Sequence, residues 1–105
     1  MSDPANFNKD DLSIIWGMYP SCMICREFAQ DFDHVCHRGG KRNRKIHSSV
    51  FNACPLCRMC HIHKKTDNET VKKILQKVKE TVLYSPYELQ KKDHEFLAHY
   101  SSFYE

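Results

Sequence analysis

Apolar residues recur at helical spacing near both ends of the chain and lose that spacing in the middle. Leu12, Ile14, Ile15 and Met18 follow Asp10 and Asp11, either of which can cap a short helix that Pro20 would terminate. Trp16 is expected to pack on the core or on a neighbouring metal knuckle. Val71, Ile74, Leu75, Val78 and Val82 form an apolar stripe behind Thr66-Asp67-Asn68-Glu69, which has capping-box form, and Lys72, Lys73, Lys77 and Lys79 cover the outer face. A last helix is predicted from Ser85-Pro86-Tyr87-Glu88, with Ser as the cap, Pro at the first helical position and Glu at the third. Leu89, Phe96, Leu97 and Tyr100 would supply its buried face. Between Arg26 and Val50 the helical period is missing. Gly39-Gly40 marks a turn there, and Lys41 to Lys45 is too charged to be buried, so Asp31–Cys36 and Ile46–Phe51 read as two short strands flanking a basic turn. Pro55 lies near the start of a helix that would carry Cys57, Cys60 and His61 on its first turns. The pattern is that of a single small α+β domain over residues 1–105, with its core at 22–63 and two helices over 66–105.

The cysteines account for the core. Cys22-Met23-Ile24-Cys25 and Cys57-Arg58-Met59-Cys60 are two C-x-x-C pairs with 31 residues between them. Tetrahedral Zn²⁺ takes four soft ligands, and a two-residue spacer lets both thiolates of a pair reach one ion, so Cys22, Cys25, Cys57 and Cys60 are the expected structural zinc ligands. Cys54 forms a second C-x-x-C with Cys57, which leaves the register formally open, with a buried thiol the favoured reading of Cys54. Cys36 has no paired partner and reads as packing. Six cysteines with no N-terminal apolar segment favour metal ligation over disulfides and a reducing, cytoplasmic compartment. No run approaches the roughly 20 apolar residues of a membrane span. At 105 residues the core is thin, and a metal staple supplements it.

Charge adds a partner class. The net charge is +3, but residues 26–65 hold nine Lys or Arg against three acids, a local +6. Arg38, Lys41, Arg42, Arg44 and Lys45 place five cations in eight residues, where they would attract a polyanion in a salt-sensitive way. Alone, such a run is more often a solvated loop. His37 and His47 flank it and would touch phosphate or face solvent; His94 and His99 fall on the last helix as surface residues.

Candidate chemistry lies between the cysteine pairs. Asp33 and His34 are neighbours on a predicted strand, and His61 follows a zinc thiolate on the next helix. A strand carboxylate and a helix imidazole suit one divalent cation with open water positions, which leaves His34 to activate water.

Asp33-His34 followed by Asn52-x8-His61, with C-x-x-C-H at its end, resembles the HNH (ββα-metal) endonucleases of the zinc-knuckle subgroup. The stretch from Asn52 to His61 looks much like that family's N-x-x-x-L-C-x-x-C-H signature, and the likeness covers about 40 of the 105 residues. The spacing between the knuckles also resembles phage-type recombination endonucleases. The resemblance implies a small ββα-metal core stapled by the four-Cys zinc site. It implies His34 as general base, Asp33 and His61 as ligands of a catalytic Mg²⁺ or Mn²⁺, and Asn52 as the residue that braces the loop and orients His34. The implied reaction is phosphodiester hydrolysis leaving 5′-phosphate and 3′-hydroxyl ends. Many relatives have His where this chain has Asp33, and many place a further metal His where this chain has Lys65, so the cation would have two protein ligands.

The implied partner is DNA, bound through the basic run, with no membrane. So small a module is expected to recognise a junction, branch or nick, or to borrow specificity from a larger protein. A homing or restriction nuclease and a packaging-associated nicking enzyme are the competing settings, in the cytoplasm of a bacterium or a phage-infected host. Dimers of phage-type enzymes imply a homodimer, with the two trailing helices as interface. The alternative from another class is a non-catalytic zinc module that binds nucleic acid or protein. It would keep the four cysteines and have no use for convergence of Asp33, His34 and His61. A redox dithiol protein is the weakest reading, because the thiols are divided between two knuckles without a thioredoxin-like pattern.

Overall fold

Asn8, not an aspartate, starts the first helix. Its Oδ1 accepts from the N–H groups of Asp10 and Asp11 at 2.9 and 3.2 Å, and α1 runs Lys9–Trp16. Gly17, at φ 80°, ends it before Pro20 is reached. In this computed structural model the described residues are 6–36, 45–64 and 67–105. They form a small α+β fold in which β1 (Asp31–His34) pairs antiparallel with β2 (Ala53–Leu56), followed by α2 (Arg58–His63), α3 (Asn68–Tyr84) and α4 (Lys91–His99). The register sets Asp31 opposite Leu56, Phe32 opposite Pro55, Asp33 opposite Cys54 and His34 opposite Ala53. Among the described residues no helix is long and apolar enough to cross a membrane.

The predicted second strand at Ile46–Phe51 is instead two 3₁₀ turns, Ile46–Ser48 and Val50–Asn52, and the partner of β1 lies just after them. Serine chemistry explains the difference. Ser48 Oγ donates to Lys45 O at 2.6 Å, and Ser49 Oγ accepts from Phe51 N–H at 3.2 Å, so side chains offer the backbone a tight-turn alternative to a ladder. Every residue from Ile46 to Asn52 is buried, whereas a strand of a half-exposed sheet would alternate. Pro55 does not open a helix. It sits inside β2, where its carbonyl accepts Met23 N–H at 3.0 Å, and α2 begins three residues later.

The last helix also starts later than Ser85-Pro86 predicts. Ser85 closes α3 instead, its N–H donating to Thr81 O and Val82 O and its Oγ to Val82 O at 2.6 Å. Asp93 then defines the start of α4 by accepting Gln90 N–H at 2.8 Å. Asp67 caps α3 through Thr70 N–H at 3.0 Å, one residue later than the Thr66 cap of the capping-box form.

The core is built on β2 and the two 3₁₀ turns. Phe51, Leu56, Leu75, Val78, Val82 and Phe96 are fully buried, with α3 and α4 packed over the turns. Burial of each such side chain contributes about 2 kcal/mol. The buried side of the α3 stripe, Leu75, Val78 and Val82, packs within this chain. Trp16 packs against the same core, its ring 6.5 Å from that of Phe32.

Among the described residues Ser49, Asn52 and Asp93 are fully enclosed polar residues. Asp93 accepts from Ser49 Oγ at 2.6 Å, Tyr87 Oη at 2.5 Å and Gln90 N–H at 2.8 Å, which ties the turn region to α4. Burial, and then the Asp93 carboxylate, push the Tyr87 hydroxyl well above the ordinary tyrosine value. Asp93→Ala strands these buried donors and is expected to destabilise the fold by about 3 kcal/mol, read from urea denaturation, with Asp93→Asn retaining part of the loss.

Candidate metal centre

The first knuckle is a miniature hairpin. Ala29 N–H donates to Pro20 O at 2.9 Å, Cys22 N–H to Glu27 O at 2.6 Å, and Arg26 N–H to Cys22 O at 3.0 Å. Arg26 closes it at φ 67°, a left-handed conformation that costs a non-glycine residue about 1–2 kcal/mol. The second knuckle is the start of α2, where Cys57 is the cap and accepts Cys60 N–H on its sulfur at 3.4 Å. Ile24 N–H makes the equivalent bond to Cys22 Sγ, also at 3.4 Å. Each knuckle thus turns a backbone donor onto its first sulfur, which favours the thiolate.

The two knuckles meet. The sulfurs of Cys22, Cys25, Cys57 and Cys60 all lie within 4.8 Å of one another, with Cys25 and Cys57 at 3.5 Å. Four ligands on arms of about 2.3 Å around a tetrahedral zinc would sit about 3.8 Å apart, so the quartet fits that ion in both chemistry and size. Its electrostatics fit as well. Burial opposes ionisation of Cys22, but the N–H groups of Cys25, Cys57 and Ile24 outweigh it and bring the thiol down to about 6. Cys60 moves up to about 12, chiefly through its hydrogen bond to Cys57 and then through burial. Sulfurs this close cannot all carry charge on their own, and a divalent cation removes that conflict. Cys54 stands outside the quartet, with its sulfur 3.4 Å from Met23 Sδ and its thiol pushed up to about 12 by burial and then by the charge of Asp33. Cys36 is buried in the core.

A second cluster lies on the face of β1 next to α2. Arg58 N–H donates to Gln30 Oε1 at 2.8 Å, which ties the start of α2 to the approach of β1. His61, one turn on, then reaches the strand. Its Nε2 is 3.1 Å from Asp33 Oδ1, and its Nδ1 is 3.4 Å from Asp31 Oδ2. Asp31 and Asp33 share a face because they are two apart on a strand. Asp33 and His61 thus lie at hydrogen-bond distance, a separation close to the roughly 3 Å of two ligands set at right angles on arms of about 2.1 Å. Asp31 behind the imidazole is placed to fix its tautomer and direct Nε2 forward. Lys64, just beyond α2, ion-pairs with Asp33 Oδ2. The sequence reading missed Asp31 and Lys64. The two-residue step from Asp33 was a usable signal for the first, and none existed for the second.

The remaining candidates divide. His34 follows Asp33 on β1, so the two side chains leave on opposite faces; its imidazole stacks on Phe7 with centroids 4.2 Å apart and planes at 20°. Asn52 is wholly buried and pins both ends of the basic segment: Oδ1 accepts Cys36 N–H at 2.7 Å, and Nδ2 donates to Cys36 O at 3.2 Å and His47 O at 3.0 Å. Both amide donors are thereby committed to backbone, so Asn52 shapes the loop ends. His47 does not face solvent but is buried, with Nε2 2.5 Å from Tyr100 Oη. Lys45 is exposed at the start of the first 3₁₀ turn. His37, Arg38, Lys41, Arg42, Arg44 and Lys65 lie outside the described residues.

Comparison of the chain with family models, with curated proteins and with solved structures finds no match. The quartet makes a direct prediction: purified protein carries one zinc per chain, and stripping it with a chelator unfolds the domain, seen as loss of the cooperative thermal transition. Cys57→Ser is expected to lose both zinc and fold, whereas Cys54→Ala keeps the 1:1 zinc content measured by metal analysis.

Proposed function

We propose that this protein is a metal-dependent DNA endonuclease with a structural zinc, acting through an HNH-like ββα arrangement. The observation that carries the reading is the 3.1 Å approach of His61 Nε2 to Asp33 Oδ1, made by a strand and a helix whose junction the cysteine quartet clamps. The order β1, β2, α2 and the resemblance of Asp33-His34, Asn52 and Cys57-x-x-Cys60-His61 to that family point the same way. Asp33 and His61 would hold a Mg²⁺ or Mn²⁺, which when bound offsets charge on the scissile phosphate and on the leaving oxygen. His34, which leaves β1 on the face opposite Asp33 and stacks on Phe7, would take the proton of the attacking water only after turning toward the side of the cation. Asn52 would hold the two ends of the basic segment so that Arg38, Lys41, Arg42, Arg44 and Lys45 meet the DNA backbone beside the cut. With few side chains available to read bases, a junction, branch or nick is the favoured substrate.

One observation favours a second reading. Asp33 already has Lys64 and His61 as partners, and His34 lies in an aromatic stack, so the cluster also makes sense as a closed structural network in a non-catalytic zinc module that binds nucleic acid or protein. Cleavage separates the two. Supercoiled, linear, nicked and four-way-junction DNA are incubated with protein and Mg²⁺ or Mn²⁺. Nicking or cutting of at least one form, lost by more than about 100-fold in His34→Ala with zinc content and DNA binding intact, is the expected result. Wild-type protein that binds DNA and cuts none of these forms overturns the nuclease reading. In the same binding assay, Arg42→Gln with Arg44→Gln is expected to lower the slope of log affinity against log salt by about 2.

A further inference from the structure

A lysine is almost never fully buried unless it is paired. Lys64 meets that condition: its side chain is 6% exposed, and its Nζ is paired with Oδ2 of Asp33, whose side chain is also 6% exposed. The other oxygen of the same carboxylate lies 3.1 Å from His61 Nε2, and Asp31 stands 3.4 Å behind that imidazole. One carboxylate is thus shared between an ammonium and the imidazole with which it would hold a cation. A doubly charged ion arriving between Asp33 and His61 would meet the ammonium at close range, where the enclosed Asp33 and Lys64 side chains leave the repulsion only partly screened by solvent from the exposed His61 side. Asp33 can serve one of the two positive partners well, not both.

We propose that Lys64 is a built-in competitor for the divalent cation: its ammonium holds Asp33 when no such ion is bound and withdraws when one binds. The inference rests on the reading of Asp33 and His61 as cation ligands. The backbone permits the exchange. Lys64 lies past the last turn of α2 at φ −61° and ψ 130°, an extended conformation from which its stem can swing outward without unwinding the helix. Such a device lowers the apparent affinity for the cation by the fraction of time that the site is open. It also keeps Asp33 neutralised, so the loaded state is reached only at high cation concentration or when a phosphate takes over the displaced ammonium.

Two measurements without DNA test this. In the first, zinc-loaded wild-type protein is treated with an amine-acylating reagent, with and without Mn²⁺, and modification of Lys64 is read by mass spectrometry. Slow labelling that accelerates with Mn²⁺ is expected; labelling unchanged by Mn²⁺ overturns the proposal. In the second, Mn²⁺ affinity is followed by loss of the free-ion paramagnetic resonance signal. Lys64→Met, checked for zinc content and a cooperative melt, is expected to bind Mn²⁺ at least about tenfold more tightly than wild type, as for a site closed nine-tenths of the time. Equal or weaker binding by the folded variant overturns the proposal. If DNA is cut while the affinities match, only the role of Lys64 falls. If neither protein binds Mn²⁺ and no DNA form is cut, the cation site falls and this inference with it.

Discussion

Four sulfur atoms within 4.8 Å of one another close the chain between its first knuckle and the start of α2. Everything at the candidate site depends on that closure. A two-stranded sheet of four residues per strand has too little hydrogen bonding and too little area to stand alone in water. A zinc ion in the quartet would convert metal affinity into folding free energy and hold together residues far apart in sequence. The same clamp sets the direction of α2, because Cys57 is both a sulfur ligand and the helix cap. His61 follows one turn later and can meet only what β1 presents.

The second support is polar and hidden. Asn52 fastens Cys36 to His47, and Asp93 fastens Ser49 to Tyr87 and to the start of α4. Together they replace the strand expected from Ile46 to Phe51 with two buried turns whose backbone is satisfied by side chains. The C-terminal helices are then not an appendage. Phe96 and Tyr100 pack on His47, and α3 covers the second turn, so the far half of the chain secures the two 3₁₀ turns.

Charge organisation on β1 and α2 supports both functional readings from the same atoms. Asp31, His61 and Asp33 form a line in which a carboxylate steadies an imidazole whose other nitrogen meets a second carboxylate. That line is a recurrent way to prepare a cation ligand. Lys64 completes it with a positive charge and makes it self-contained. The choice between a closed network and a cation site held in reserve is therefore a question of which positive partner Asp33 prefers, and under what conditions.

Much of this was legible in the sequence. The paired C-x-x-C spacing pointed to the metal quartet, because a two-residue spacer lets both thiolates of a pair reach one ion, and the structure decided the register by leaving Cys54 outside it. The stripe from Val71 to Val82 determined α3 through its period, and the capping stretch placed its start to within one residue, with Asp67 as the cap. The positions of Asp33, Asn52 and His61 relative to the cysteines marked the candidate site. What the tertiary structure decided was every matter in which a side chain chose among several backbone partners. Asn8 rather than Asp10 or Asp11 caps α1, and Ser85 ends a helix rather than starting one. Asp93 places the start of α4, and Ser48 and Ser49 turn a predicted strand into 3₁₀ structure. Lys64 became the partner of Asp33, 31 residues away, only because the knuckles had first brought β1 and α2 together. Local periodicity encodes which residues are buried, whereas the partner of a buried polar group is set by long-range packing that no local window contains.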